Sequence, residues 1–209
     1  MVPFNVVQVL GGEAPAFRRA TSGQCLVQTG SPSLADFLDV EGAPFGESGD
    51  MEAVLWGKLL LNLNNALNAL SGLPLAEQLA DRHWRRILAD QIAEALSVMR
   101  DAGVRPASAG GPSPSLVPAV LRLPDFIFKW LARRMLSVDP AARSSMWEDF
   151  ERRRRTEIDE FQGAIVRLAE ATGGDAPLSR QIVALVHEAE KENRGSPGLS
   201  ADMVLRQPA

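Results

Sequence analysis

A lysine and two asparagines recur at helical spacing in residues 56–70, a segment that is otherwise strongly apolar. Lys58, Asn62 and Asn65 are four and then three residues apart, so on a helix they project from one face. An ammonium group beside two amides can bind a carbonyl, hydroxyl or carboxylate oxygen, and a lysine can donate a proton to an oxygen that gains negative charge. The row therefore predicts a receptor for an oxygen-bearing substrate, with Lys58 as the acid.

The same residues also have a purely structural interpretation. Asparagine is a poor helix former, and a buried amide costs free energy unless it finds a partner. Lys58 could extend to water at the start of the helix, while the asparagines face solvent or pair between helices. Four asparagines within seven positions favour a polar site, but the residues alone leave both interpretations open.

Two later clusters are explained as well by helix capping as by chemistry. Ser144 or Ser145 could cap a following helix, with Glu148 completing a capping box. Thr156 could cap a restarted helix in the same way, followed by the acidic residues Glu157 and Asp159. The run 152–155 consists of four arginines and suggests a phosphate patch, but acidic neighbours on both sides favour a solvated, salt-bridged face.

Composition excludes several classes of function. The 209 residues carry a net charge of −4, which argues against a nucleic-acid partner. A single cysteine, Cys25, rules out an internal disulfide, and two distant histidines make a metal site improbable. No apolar run approaches the ~20 residues that cross a bilayer. We expect no metal, no membrane partner and a cytoplasmic location.

The predicted secondary structure that positions these residues changes from short strands to helices near residue 48. Before it, 4–10 and 24–28 are typical of short strands, Ser33 is a helix cap for 34–38, and a further strand begins near Phe45. Three short strands make a marginal domain, so residues 1–48 are expected to be the end of a larger sheet.

From residue 49 onward the pattern is helical. The predicted helices are 51–71, 75–102, 116–136 with a break at Pro124, 146–172 with an interruption near the arginines, and 179–192. Residues 194–209, with two prolines and little apolar content, are predicted to be a disordered tail. The fold class is therefore mainly α, with a helical domain at 49–193 that follows a short α/β segment.

Three motifs in order resemble those of the ketopantoate reductases (2-dehydropantoate 2-reductases). They are the segments 56–62 (Trp-Gly-Lys-Leu-Leu-Leu-Asn), 144–149 (Ser-Ser-Met-Trp-Glu-Asp) and 156–159 (Thr-Glu-Ile-Asp) with Gly163 soon after. Residues 1–7 resemble the strand that closes the cofactor domain, and the similarity extends to about residue 190. The resemblance implies a Rossmann-type N-terminal domain, here reduced to a remnant, and a helical C-terminal domain of the 6-phosphogluconate-dehydrogenase-like type.

Members of that family reduce ketopantoate to pantoate with NADPH, a step toward pantothenate, in a cleft between the two domains. The resemblance implies that Lys58 protonates the carbonyl oxygen and that Asn62 and Ser145 bind the substrate. It also implies that Glu157 lies near the nicotinamide ribose and that Val6 passes the cofactor through its backbone. Some relatives carry another substrate-contacting asparagine where this chain has Ala66, and we infer that the adjacent Asn65 substitutes for it.

The sequence contains no Gly-x-Gly-x-x-Gly turn and no Walker-type loop. We therefore expect the chain to be a truncated form of an NADPH-dependent 2-oxo-acid reductase, inactive alone because the glycine-rich cofactor domain is missing. It would bind a small-molecule 2-oxo acid and could form a homodimer. The alternative is a non-catalytic helical module, derived from that family, that serves dimerisation or interaction.

Overall fold

The computed structural model describes residues 1–3, 7–10, 16–19, 23–30, 32–108, 113–131 and 142–206. The chain is mainly helical, as the sequence predicts. It folds as two compact units, one made of residues 1–58 and 106–111 and the other of 59–105 and 112–209. The division falls inside a helix after Lys58, beyond the boundary predicted at 48/49.

The first unit contains short strands and one short helix. In chain order they are β1 (Val2–Pro3), β2 (Val7–Leu10), β3 (Ala16–Arg19), β4 (Cys25–Gln28), α1 (Leu34–Leu38) and β5 (Phe45–Ser48). β4 is the central strand of a sheet, antiparallel to β1 and parallel to β5, whereas β2 and β3 pair antiparallel with each other. Ser33 caps α1 as predicted, because its hydroxyl accepts the Asp36 N–H at 3.1 Å. Cys25 is buried in β4, as expected of a small apolar side chain.

The long helix α2 (Met51–Ser71) confirms the first helical prediction. It begins where the Asp50 carboxylate accepts the Ala53 N–H at 2.9 Å, which satisfies a free amide of the first turn. It ends at Gly72, whose φ of +66° is a conformation that side chains disfavour. The half of the helix after residue 62 is almost entirely buried.

The second unit adds a set of further helices around the C-terminal half of α2. They are α3 (Leu75–Ala80), α4 (Arg82–Asp101), α5 (Val117–Leu121), α6 (Asp125–Leu131), α7 (Ser145–Glu151), α8 (Ile158–Ala171), α9 (Pro177–Glu192) and α10 (Ala201–Leu205). Its core consists of fully buried apolar side chains from several of these helices, including Leu63, Leu67, Ile87, Met99, Met146, Ile165 and Ile182.

The helix predicted over 75–102 is broken at Asp81. This residue has extended backbone and caps α4, accepting the His83 N–H at 2.7 Å. The fully buried guanidinium of Arg85 donates to the carbonyl oxygens of Leu79 and Ala80, which terminate α3. The break therefore follows from a cap and a buried arginine that the apolar periodicity does not report.

The interruption predicted near the arginine run is present. α7 ends at Glu151, and Arg153 has a φ of +55°, a left-handed conformation usually occupied by glycine after a helix. The chain restarts as α8 at Ile158, and the Thr156 hydroxyl accepts its N–H at 3.3 Å.

The structure contradicts the disordered tail predicted for 194–209 as far as residue 206. The Ser196 hydroxyl donates to the Ala69 carbonyl at 2.6 Å, and the Leu199 N–H donates to the Leu70 carbonyl at 2.8 Å. Ser200 caps α10, which buries Val204 completely. The segment is ordered because it satisfies carbonyl groups at the end of α2, which its own composition could not reveal.

Two predictions fall outside the described residues. Val6, expected beside a cofactor, is one of them. The other is the end of the helix predicted over 116–136, since the description stops at Leu131; before that point, a 3₁₀ turn at Pro114–Leu116, α5 and α6 divide the segment on either side of Pro124.

Candidate functional site

Two of the four asparagines of α2 have unused amide groups. Asn62 and Asn65 are half-buried, and within the described part of the chain neither has a hydrogen-bond partner for its side chain. Neither amide belongs to the buried side-chain atoms that lack a partner, so half-burial leaves both within reach of water. Such groups are available to a ligand that reaches this face of the helix.

The other two asparagines have a structural role. Asn64 exchanges hydrogen bonds with Gln78 of α3, at 3.1 and 3.4 Å. Asn68 is fully buried and donates to the Leu73 carbonyl at 2.9 Å and to the Gln78 side-chain oxygen at 3.0 Å. Pairing between helices is therefore the correct structural interpretation for Asn64 and Asn68, whereas facing solvent is the structural interpretation that fits the half-buried Asn62 and Asn65.

Ser144 joins the beginning of α7 to the face of α2. Its N–H donates to the Asn68 side-chain oxygen at 2.8 Å, and its hydroxyl donates to the Asn65 carbonyl at 3.0 Å. The same hydroxyl accepts the Trp147 N–H at 3.2 Å, so Ser144 rather than Ser145 is the cap of α7. The predicted capping box is absent, because Glu148 lies four residues after this cap and pairs with Arg152 at 3.3 Å.

These bonds place Ser145 one residue after the contact between Ser144 and Asn65 in the second unit. Ser145 is the first residue of α7, is exposed, and directly follows the serine that is bonded to the Asn65 carbonyl. Glu157 is also exposed and precedes α8, and its side chain makes no capping bond. Five residues later the buried Gln162 donates to the Leu63 carbonyl at 2.9 Å, so α8 packs against α2 next to Asn62.

Lys58 lies one helical turn before Asn62 on α2 and is half-buried within the first unit. Its neighbour Gly57 is buried, and a Cβ built there would lie 2.1 Å from the Ala107 carbonyl oxygen. The Ala107 N–H in turn donates to the Ala53 carbonyl at 2.8 Å. Glycine at 57 thus allows a loop to run against the helix immediately before the lysine.

Several polar residues around this site were not found by sequence reasoning. Gln78 and Gln162 look like ordinary helix formers in sequence, and only packing shows them bonded to α2. Arg143 directly precedes Ser144 and Ser145 in the same cluster, but helix capping gives it no role. Asn64 and Asn68 carried a usable signal, because a spacing of four residues puts both amides on one face.

Three residues of the arginine run, which ends two residues before Glu157, line a pocket. Phe150, Arg153, Arg154, Arg155, Ala189, Glu190, Lys191, Asn193 and Gly195 line this pocket of about 350 Å³. It adjoins the C-terminal ends of α7 and α9, whose carbonyl groups attract cations, and Arg153 donates to the Asn193 carbonyl there. Basic side chains at such ends are explained by helix stabilisation, and none of the predicted site residues lines the pocket.

A nicotinamide cofactor is implied by the resemblance, and the described residues fit only one end of it. Glu157 has an exposed carboxylate that could accept hydrogen bonds from ribose hydroxyls. Within the described ranges, however, no glycine-rich turn between a strand and a helix could cradle a pyrophosphate. The same ranges contain no group of three or more acidic, cysteine or histidine side chains arranged for a metal ion. Nor do they contain a helix long and apolar enough to cross a membrane.

The fold that these elements define is a helical domain that follows a short α/β segment in the chain. The family described as "Ketopantoate reductase PanE/ApbA C terminal" matches residues 50–190. The chain belongs to this family of ketopantoate reductases.

Solved structures show the same fold. A PanE/ApbA family ketopantoate reductase from Ralstonia eutropha JMP134 is 28% identical with a TM-score of 0.66, and the match covers 91% of this chain and 59% of that one. A dimeric ketopantoate reductase from Staphylococcus aureus is 14% identical with a TM-score of 0.62, covering 91% and 61%. D-mandelate dehydrogenase with NADH and anilino(oxo)acetate is 22% identical with a TM-score of 0.61, covering 77% and 48%.

The match to the Ralstonia protein thus spans about three-fifths of that protein's length. No relative was found among curated protein sequences.

Proposed function

We propose that this chain is the substrate-binding and proton-donating part of a nicotinamide-dependent 2-oxo-acid reductase. The substrate that family membership favours is 2-dehydropantoate (ketopantoate), reduced to pantoate in pantothenate biosynthesis, with NADPH as the hydride source. In this proposal residues 1–48 are the remnant of a dinucleotide-binding domain, and the chain alone has no turnover. The cytoplasmic location expected from the sequence remains a prediction.

The observation that carries the proposal is the contrast among the asparagines of α2. Asn64 and Asn68 are saturated with hydrogen bonds, while Asn62 and Asn65 on the Lys58 face have side chains without partners in the described residues. The structural alternative for Asn62 and Asn65 is that they face solvent, since both are half-buried. A substrate that carries ketone and carboxylate oxygens would supply the missing partners.

The proposed reaction follows from these groups. A reduced nicotinamide, when bound, supplies hydride to the ketone carbon. The Lys58 ammonium gives its proton to the ketone oxygen as the C=O bond becomes C–OH, and the neutral amine then recovers a proton from water. Asn62, Asn65 and the Ser145 hydroxyl hold the substrate oxygens so that the ketone faces the lysine. Glu157 orients the nicotinamide end of the cofactor.

The test is an assay of the protein in its full natural length with ketopantoate and either NADPH or NADH, following loss of nicotinamide absorbance. Replacing Lys58 by Met should lower kcat by about 10²–10⁴-fold while substrate binding persists, because a general acid contributes that much. Lys191→Met, at an exposed lysine of α9, is the matched control and should retain activity. An intact protein that reduces no 2-oxo acid with either cofactor would refute the proposal.

A second candidate, a helical interaction module, is favoured by α6. Phe126 and Trp130 are four residues apart and each 75% exposed. Two large apolar side chains on one exposed helix face are typical of an interface, and a relative is described as dimeric. We propose that this face forms a homodimer.

The two candidates predict different outcomes. Replacing both Phe126 and Trp130 by Ser should convert a dimer to a monomer in analytical ultracentrifugation. A module without catalysis would lose association but show no effect of Lys58→Met on any reaction. A reductase would lose turnover with Lys58→Met whatever its oligomeric state.

A further inference from the structure

Arg143 has a guanidinium group that the described residues do not satisfy. Its Nη1 atom is buried and has no hydrogen-bond partner among them, while the residue as a whole is half-buried. A guanidinium is a permanent cation with five donors, and a buried donor without an acceptor is destabilising. Each such group in a folded protein calls for an explanation.

Arg85 is an arginine of this chain that has a structural role, and it serves as a comparison for Arg143. Its side chain is fully buried, and its nitrogens donate to the carbonyls of Leu79, Ala80, Leu121 and Leu123 and to the Asp125 carboxylate. Arg143 has no ion pair within the described residues, and the Trp147 ring lies against it, 4.6 Å from the guanidinium carbon. The ring holds the guanidinium in place but accepts no in-plane N–H.

The backbone conformation of Ser144 puts Arg143 and Ser145 on the same side of the chain. Ser144 is extended, with φ −76° and ψ 159°, so the side chains on either side of it project opposite to its own. Arg143 therefore shares a side with Ser145, and Ser144 is bonded to the carbonyl of Asn65. The unsatisfied guanidinium belongs to the same junction as the proposed substrate-binding groups.

Stabilisation of α7 does not account for the charge. Arg143 precedes the N-terminal end of that helix, where the dipole is positive and favours acidic side chains. An anion brought to this point would satisfy the free N–H and offset the unfavourable charge.

We propose that Arg143 binds the carboxylate of the 2-oxo acid, an inference that rests on the function proposed above. A guanidinium can donate two parallel N–H bonds to the two oxygens of a carboxylate, a geometry that a lysine ammonium does not offer. Because the carboxylate is bonded directly to the ketone carbon, holding it also fixes the orientation of the ketone. Arg143 then determines specificity for acids over neutral ketones.

The experiment compares ketopantoate with its neutral amide as substrates of the natural full-length protein. Arg143→Met keeps an apolar stem against Trp147 but removes the guanidinium, and should lower kcat/KM for the acid about 10- to 100-fold. The kcat/KM for the amide should change less than about twofold, so the ratio of kcat/KM for the acid to that for the amide falls. Arg143→Lys should give an intermediate loss, and Arg86→Met, at an exposed arginine of α4, should change neither substrate.

Calorimetric titration of the acid and of the amide, in the absence of turnover, gives a second readout. Arg143→Met should weaken binding of the acid alone. If both substrates lose equally in Arg143→Met, or neither changes while the wild type reduces the acid, the inference is wrong and the reductase function stands. If the wild type neither binds nor reduces 2-oxo acids, both proposals are overturned.

Discussion

The side-chain oxygen of Asn68 accepts a hydrogen bond from the backbone N–H of Ser144 at 2.8 Å, across 76 residues of sequence. Both residues are buried, and the amide nitrogen of Asn68 is occupied by Leu73 and Gln78. One saturated amide therefore sets the position of the backbone that leads into Ser145. It connects the interior of the helical unit with the residue proposed to bind substrate.

We expect Asn68→Leu to change substrate binding as well as stability. The substitution leaves the Ser144 N–H and the Leu73 carbonyl without their Asn68 partner, removes one of two donors to the Gln78 oxygen, and should lower the free energy of unfolding by about 2–4 kcal/mol. The beginning of α7 should also shift, raising KM for the 2-oxo acid several-fold. Urea denaturation and steady-state kinetics on the full-length protein measure the two effects.

Gln78→Met is the control for this prediction. It removes hydrogen bonds to Asn64 and Asn68 but leaves the bond between Asn68 and Ser144 in place. It should lower stability by about 1–3 kcal/mol with KM unchanged. Equal KM values for the two variants at matched stability would show that Asn68 has no positioning role.

A glycine substitution tests the close approach of backbone at the start of the lysine face. Gly57→Ala adds a Cβ that would lie 2.1 Å from the Ala107 carbonyl oxygen. We expect it to destabilise the protein by about 1–3 kcal/mol, because overpacking outweighs the gain in helix propensity of about 1 kcal/mol. Thermal unfolding measures the change.

Gly163→Ala in α8 is the matched comparison. The nearest atom to a Cβ there is the end of the Arg167 side chain at 3.3 Å, which can move aside. Stability should stay constant or rise slightly, since alanine favours a helix. A Gly57→Ala variant as stable as Gly163→Ala would contradict the close contact at Ala107.

Asp125 gives a prediction for pH. Its hydrogen bond with Arg85 holds the pKa of this carboxyl below its ordinary value. A lowered carboxyl pKa means that the ionised form stabilises the fold above the unfolded-state pKa of about 4, and that this contribution is lost as pH falls through the folded-state pKa. Asp125→Asn should therefore be less stable than the wild type near pH 7, and the difference should disappear in strong acid.

Unfolding measured across this pH range tests the sign. Asp90→Asn removes the exposed partner of Arg122 and should have a smaller effect at neutral pH, since Arg122 is itself half-exposed whereas Arg85 is buried. A gap between wild type and Asp125→Asn that widens toward acid would contradict the assigned direction.

The C-terminal segment supplies a prediction about packing. Val204→Ala should lower the free energy of unfolding by about 1–3 kcal/mol, because the side chain is fully buried in α10. Leu205→Ala, at a position 53% exposed, should change it by less than about 0.5 kcal/mol. If both substitutions had equal, negligible effects, the result would support the disordered tail that composition predicts.

The sequence by itself determined the element boundaries that short-range signals control. α2 starts at Asp50 and stops at Gly72 because a cap and a positive φ are properties of local residues. The helical class and the family follow from periodicity and from three motifs in order. The sequence also predicts the face that Lys58, Asn62 and Asn65 share, since helical spacing alone decides which side chains lie on one side of a helix.

Only the tertiary structure decided which polar groups on that helix are saturated and which are open. Asn64 and Asn65 are neighbours of identical chemistry, yet one is paired with Gln78 and the other has no side-chain partner in the described residues. Whether an amide of α2 is hydrogen-bonded depends on partners that α3 and α7 supply from distant parts of the chain. Long-range hydrogen bonds leave no periodic signal, so neither the Asn68–Ser144 bond nor the order of residues 196–205 could be predicted from sequence.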